Sequence, residues 1–248
     1  MLEIQVYGDR GLRVVLGESI SKETNEKIRS LTTQLEKERI DGVLEWIPAY
    51  TTVSIFYNPE KITFDALSQK IHELYENLSQ IEIPPAEVVT IPVCYGGKYG
   101  PDLENVAAHN KLTEEEVIRI HSGNDYLIYM MGFSPGFPYL GGMSDKIATP
   151  RLESPRKKIP AGSVGIAGSQ TGVYPSDSPG GWQIIGRTPL KLYDSKSDTP
   201  ILLRAGNYVR FRSVTEAEYE EIYQSIMKGT YELEIKPYRG LQNEATYR

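Results

Sequence analysis

The sequence predicts an α+β chain in two parts: a small ferredoxin-like sandwich over residues 1–84, then a larger barrel or sandwich over residues 85–240. A short tail, 241–248, would follow. Three observations carry this. The first third alternates short period-two apolar runs with apolar stripes at helical spacing on one face. Pro84-Pro85 then stiffens the chain and blocks helix continuation, which makes a natural joint. Beyond it, residues 130–187 hold eleven of the 22 glycines and seven of the 16 prolines, so that stretch must be short strands cut by turns.

The elements follow in order. Ile4 and Val6, then Leu12, Val14 and Leu16, alternate as two half-buried strands turned at 8–11. Residues 21–39 are polar except for Ile28, Leu31 and Leu35, a helical stripe stopped by Asp41-Gly42. Strands at 43–47 and 51–57 are separated by Pro48. A second helix carries Phe64, Leu67, Ile71, Leu74 and Leu78 on one face behind a Thr63 cap. The order strand, helix, strand, strand, helix, strand, with an extra N-terminal hairpin strand, is the basis for the ferredoxin-like assignment. After the joint come a strand at 88–95, a GGKYGPDL loop, a short helix capped by Asp102, and a Thr113–Glu116 capping box opening a helix that ends near His121. Strands are expected at 126–131, 164–167, 181–185, 189–193, 200–203 and 208–211. A helix at 215–228 has its own capping box with Glu218, and a strand at 231–235 closes the domain.

Composition narrows the function. A net charge of −6 argues against general affinity for nucleic acid. The N-terminal stretch carries Asp9, Arg10 and Arg13 where a secretory leader needs an apolar core, and no run approaches the ~18 apolar residues of a membrane span. With the single Cys94 unable to form an internal disulfide, the expectation is a cytoplasmic protein. The three histidines are scattered and no His-x-x-x-His or Cys-x-x-Cys pair exists, so no metal is predicted on this chain.

Candidate chemistry lies in three blocks. In GFSPGFPYLGG, residues 132–142, Pro135 and Gly136 fix the backbone that displays Phe133, Phe137 and Tyr139. These rings are either walls of a shaped apolar pocket or plugs of the core. In PRLESPRKKIPAGSVGIAG, residues 150–168, Arg151 and Arg156 each sit beside a proline, and a guanidinium can grip a carboxylate or phosphate with two parallel hydrogen bonds. Lys157 and Lys158 read as a solvated pair. Gly162 and Ser163 in the same block join the candidates, although the loop lacks the Gly-Lys-Ser/Thr ending of a phosphate-binding P-loop. In the third block, residues 168–189, Gln170, Thr171 and Tyr174 offer hydrogen-bonding groups between glycines, and Trp182 and Arg187 follow. Trp182 is better explained as a core residue, as a lone buried Trp usually is. His121, just before the 126–131 strand, is the one candidate general base; no nucleophile elbow or catalytic triad order accompanies it.

These three blocks, with YGPDL at 99–103 and the His121–Tyr126 spacing, resemble the carboxyltransferase "subunit 1" family. That family includes the B subunit of bacterial ATP-dependent 5-oxoprolinase, the Bacillus antikinase KipI and part of urea carboxylase; an older name is allophanate hydrolase subunit 1. The resemblance implies a cyclophilin-like β-barrel after the joint and partner subunits C and A. It also implies ATP as co-substrate of the complex and a small anionic lactam, 5-oxoproline, opened to glutamate. Three other readings stay open: an antikinase gripping a histidine kinase dimerisation domain, a urea or amide carboxyltransferase role, and prolyl isomerisation by fold analogy alone.

Overall fold

The computed structural model describes residues 2–78 and 83–239, and the chain divides into two units, Met1–Pro85 and Ala86–Arg248. The predicted tail, 241–248, lies outside the described residues.

In the first unit, strands β1 (Glu3–Val6) and β2 (Gly11–Val15) form a hairpin. Helix α1 (Lys22–Glu38) starts where the Ser21 hydroxyl accepts the Thr24 N–H, and it stops at Arg39, whose φ of 45° is left-handed. Strands β3 (Val43–Pro48) and β4 (Thr52–Tyr57) follow, then α2 (Phe64–Glu76) behind the Thr63 cap. The sheet is antiparallel in the order β1-β2-β4-β3. Ile28, Leu31 and Leu35 of α1 and Leu67, Ile71 and Leu74 of α2 share one core with Leu12, Val14, Val53 and Ile55. This differs from the ferredoxin-like order. No strand follows α2 among the described residues of the unit, and β1 occupies the sheet edge beside β2. The cause is the tight turn, closed by Tyr7 N–H donating to the Gly11 carbonyl at 2.9 Å, which folds β1 straight back.

The second unit is built around β5 (Glu87–Tyr95), a nine-residue strand buried along most of its length. Helices α3 (Leu103–Asn110) and α4 (Glu114–Ser122) come next, α4 opening with a complete Thr113–Glu116 capping box. Then come β6 (Asp125–Met131), β7 (Pro138–Gly141), β8 (Arg156–Ile159), β9 (Ser163–Ala167), β10 (Gln170–Val173), β11 (Ser178–Gly180) and β12 (Gln183–Arg187). Last among the described elements are β13 (Tyr208–Val214), α5 (Glu216–Met227) behind a Thr215–Glu218 capping box, and β14 (Ile235–Pro237). The main sheet runs β10-β9-β12-β5-β13-β6-β7, with β14 also on β5. Its end strands β7 and β10 lie alongside each other, so the sheet is a nearly closed barrel. Strands β5 and β13 pair in parallel, while β8 and β11 form a separate two-stranded ribbon. Ile91, Val93, Ile128, Val164, Ile185 and Phe211 are among the barrel's core residues, and α3 and α4 add Leu103, Val106 and Val117.

Two expected strands are missing from the described residues. Residues 188–207 are irregular, joined only by a bridge between Tyr193 and Ile201; Pro189 and Pro200 remove ladder donors where pairing would begin. The closing strand also shifts, to Ile235–Pro237, because Tyr231 and Leu233 pack against the barrel core instead.

Where α3 begins, the chain passes hard against β12. The Gly96 N–H donates to the Ile185 carbonyl at 3.0 Å, and a Cβ at Gly100 would stand 2.0 Å from that same oxygen. Only a missing side chain permits this approach. Gly100→Ala is therefore expected to lower stability by roughly 1–3 kcal/mol. In urea unfolding the midpoint should fall at unchanged slope; an unshifted midpoint would rule the close contact out.

Candidate functional site

The first block becomes the turn from β6 into β7, closed by its own backbone. The Gly132 N–H donates to the Phe137 carbonyl at 3.1 Å, Ser134 to Gly132 at 2.7 Å, and Phe137 to Ser134 at 3.0 Å. Gly136 has a φ of 83° and backs onto Leu192 and Tyr193. Pro135 is exposed at the tip. Phe133 sits at a φ of 62° with 76% of its surface exposed, a backbone region that a side chain enters at a cost of roughly 1–2 kcal/mol.

Phe137 turns inward and is the hub of a ring cluster. Its centroid lies 5.6 Å from Phe133, 5.5 Å from Tyr139, 6.0 Å from Tyr174 and 6.0 Å from Trp182, each pair edge-on or nearly so. The floor is bare backbone. Gly165 on β9 and Gly172 on β10 are cross-strand partners, and a Cβ on Gly172 would stand 3.3 Å from both the Phe137 and Trp182 rings. Phe137 and Tyr174 are thus core plugs, with Trp182 packed half-buried beside Tyr174. Burial pushes the Tyr174 phenol up, while Arg151 and Arg156 pull it down. Gln170 is exposed two residues before Gly172, on the same face of β10.

The arginines have three different fates. Arg156 is engaged: Nη2 meets Asp102 Oδ1 at 2.6 Å and Nη1 donates to the Trp182 carbonyl at 3.4 Å. Asp102 Oδ2 in turn accepts the Ile184 N–H at 2.6 Å. Asp102 does not cap α3 with its side chain, contrary to expectation, because both carboxylate oxygens face β12 and Arg156. Arg151 is exposed, its segment held by the Leu152 N–H on the Gly181 carbonyl at 2.7 Å. Arg187 donates from Nε to the Ala161 carbonyl at 2.9 Å, and its two terminal nitrogens make no hydrogen bond among the described residues. Beside it, Gly162 has a φ of 82° and its missing Cβ accommodates the Thr188 carbonyl, while Ser163 pairs with Arg187 across β9 and β12 and is buried. Asp177, held below the usual carboxylate range by Lys158, the Ala161 N–H and Arg187, completes this second group.

Trp182 precedes β12 and Arg187 ends it. Tyr174 links the two groups: its carbonyl accepts the Gly162 N–H at 2.7 Å and its own N–H donates to the Ser163 carbonyl at 2.9 Å. Clefts of about 350 Å³, lined by Leu35, Arg39, Trp46 and Lys61, and about 370 Å³, lined by Leu190, Leu202, Ile226 and Tyr231, contain none of the candidates.

His121 is enclosed in the barrel. It has no exposed surface and stacks on Phe211 at 4.6 Å. The Thr171 hydroxyl donates to the Gly165 carbonyl at 3.0 Å, so it accepts from His121 Nε2 at 2.8 Å. Nδ1 then accepts from the Tyr95 hydroxyl at 2.7 Å. Burial alone lowers the imidazole pKa to about 3, as a neutral ring with both nitrogens engaged requires. Thr171 faces this relay, away from the aromatic cluster. Sequence reasoning missed Tyr95 and Asp177, and it marked Asp102 only as a helix cap and within the YGPDL match.

Residues 2–203 match the family model "carboxyltransferase domain, subdomain C and D", and the chain belongs to that family. Similar proteins include the B subunit of 5-oxoprolinase from Bacillus subtilis, 44% identical over 88% of this chain and 95% of its own length. Another, from Escherichia coli O157:H7, is 47% identical over 68% and 78%. Among solved structures, TTHA0988 superposes with a TM-score of 0.74 at 36% identity, covering 83% of this chain but only 40% of that one. Against urea amidolyase of K. lactis the TM-score is 0.72 at 21% identity, a likeness of fold, with this chain spanning 16% of that protein.

Two measurements test the interior. Asp102→Ala strands the Ile184 amide and Arg156 and is expected to cost roughly 1–3 kcal/mol, whereas Asp102→Asn keeps one acceptor and should cost less. Equal urea midpoints for all three proteins would show that the carboxylate is idle. For His121 the folded pKa of about 3 lies below the unfolded value of roughly 6.5. The unfolded chain therefore binds the extra proton in that window, and the stabilisation present above pH ~6.5 is lost as pH falls toward 3. Stability of the native chain should drop by about 1.4 kcal/mol per pH unit more steeply than that of His121→Gln. Parallel slopes would contradict a neutral buried ring.

Proposed function

We propose that this chain is the B subunit of an ATP-dependent 5-oxoprolinase, opening 5-oxo-L-proline to L-glutamate together with subunits A and C. The observation that carries the reading is the 44% identity to the 5-oxoprolinase B subunit of Bacillus subtilis, over 95% of that protein. The chemistry fits a division among several chains. A five-membered lactam is resonance-stabilised, and its carbonyl oxygen needs activation, by phosphoryl transfer from ATP in this reading, before water can add. The described residues of this chain offer no solvent-facing base of their own among the candidates, since His121 is enclosed. They do offer the unpaired terminal nitrogens of Arg187, which suit the substrate carboxylate, and exposed Arg151. In this reading the chain supplies binding and orientation on a cyclophilin-like barrel, and the reacting groups come from its partners.

The test is ATP-dependent glutamate release from the reconstituted complex with each of the three chains omitted in turn. Omitting this chain should abolish release, and this chain alone should give none. Full activity from either preparation would refute the role. Arg187→Leu in the complex should raise KM for 5-oxoproline about tenfold or more with the fold intact; an unchanged KM would exclude Arg187 as the carboxylate partner.

A further inference from the structure

Phe133 is placed where the folded chain gains little from it. Its backbone lies in the left-handed region at a φ of 62°, which glycine adopts freely and phenylalanine does not. Its ring is 76% exposed, with one ring neighbour, Phe137, meeting it edge-on at 5.6 Å. The loop that holds it is stiff: three backbone hydrogen bonds close residues 132–137, and Gly136 is wedged against Leu192 and Tyr193. Tyr193, which Gly136 abuts, bridges to Ile201, and Ile201 is 40% exposed. An exposed aromatic on a prearranged, strained loop is how a binding anchor is built, because little order has to be imposed when a partner arrives.

The relatives indicate the kind of partner. This chain accounts for 95% of the Bacillus subtilis protein but only 40% of TTHA0988, so the module occurs both as a separate chain and joined to a longer remainder. A contact made within one chain in the joined form must be made between chains where the module stands alone. We propose that Phe133 is the anchor through which this chain binds a second protein chain, inserting its ring into an apolar pocket of the partner. Resting on the functional reading above, the partner is the C subunit of the same complex.

The experiment measures association of the purified full-length chain with the purified C subunit by titration calorimetry, alongside thermal unfolding of each variant. Phe133→Gly relieves the backbone, so its melting temperature should equal or exceed that of the native chain. Its affinity for the partner should nevertheless fall about a hundredfold. Phe133→Trp, which keeps an aromatic ring, should stay within about tenfold of native affinity. Native affinity in Phe133→Gly overturns the anchor and leaves the reading of the chain as a 5-oxoprolinase component standing. Failure of the native chain to bind the partner overturns both.

Discussion

The candidate region depends on a single carboxylate. Asp102, at the entrance of α3, holds the Ile184 amide of β12 with one oxygen and the Arg156 guanidinium of β8 with the other, both at 2.6 Å. Three segments distant in sequence are thereby fixed to one another: the YGPDL turn, the 150–158 stretch and the strand following Trp182. Arg156 extends the tie to the Trp182 carbonyl, so the indole beside Phe137 and Tyr174 is positioned through an ion pair rather than by packing alone. Asp102 is mostly buried and Arg156 is about one-third exposed, so removing either partner strands the other in a partly dry environment. That is why Arg156, an attractive anion clamp by residue type, is a framework residue here.

Helices were largely legible in the sequence because their signals are local. Ser21, Thr63, Thr113 and Thr215 each accept the amide three residues on, and two of the four form full capping boxes. Strands were legible where alternation or an apolar run marked them, as in β2, β4, β5 and β6. The strands β7, β8, β10 and β11 are three or four residues each and contain glycine, proline or charge, so nothing in their own composition announces them. They exist because of partners far along the chain. The edge position taken by β1 has the same origin: hairpin closure decided it, and alternation along β1 and β2 is the same whichever strand lies beside them.

The candidate site was legible as a set of rings and not as a set of roles. Convergence of Phe137, Tyr139, Tyr174 and Trp182 follows from their blocks being turns around one pair of glycines, Gly165 and Gly172, which leave room for two rings on the sheet face. Roles depend on burial, which spacing does not encode. His121 precedes a strand as a catalytic base would, but it closes the last turn of α4, where His121 and Val117 both face the barrel. Its two nitrogens serve Tyr95 and Thr171, residues 26 positions before it and 50 after. Only the three-dimensional path joins them. Arg187 and Arg156 are likewise indistinguishable by type; Arg156 pairs directly with Asp102, whereas the hydrogen bond of Arg187 goes to the Ala161 carbonyl.

Sorting the candidates by what remains available changes the picture of the module. The groups with filled hydrogen-bonding or packing capacity, namely His121, Thr171, Phe137, Tyr174 and Arg156, all hold the barrel and its outer ribbon together. What is left over faces outward: the terminal nitrogens of Arg187, the side chain of Arg151 and the ring of Phe133. One can recognise an anion, and the others can meet a surface. A rigid scaffold with open binding capacity and an enclosed histidine is built to present groups to something else. In TTHA0988 more than half of the chain lies beyond the part equivalent to this one. The same physical incompleteness would be met there by covalent continuation, and in a separate chain by association.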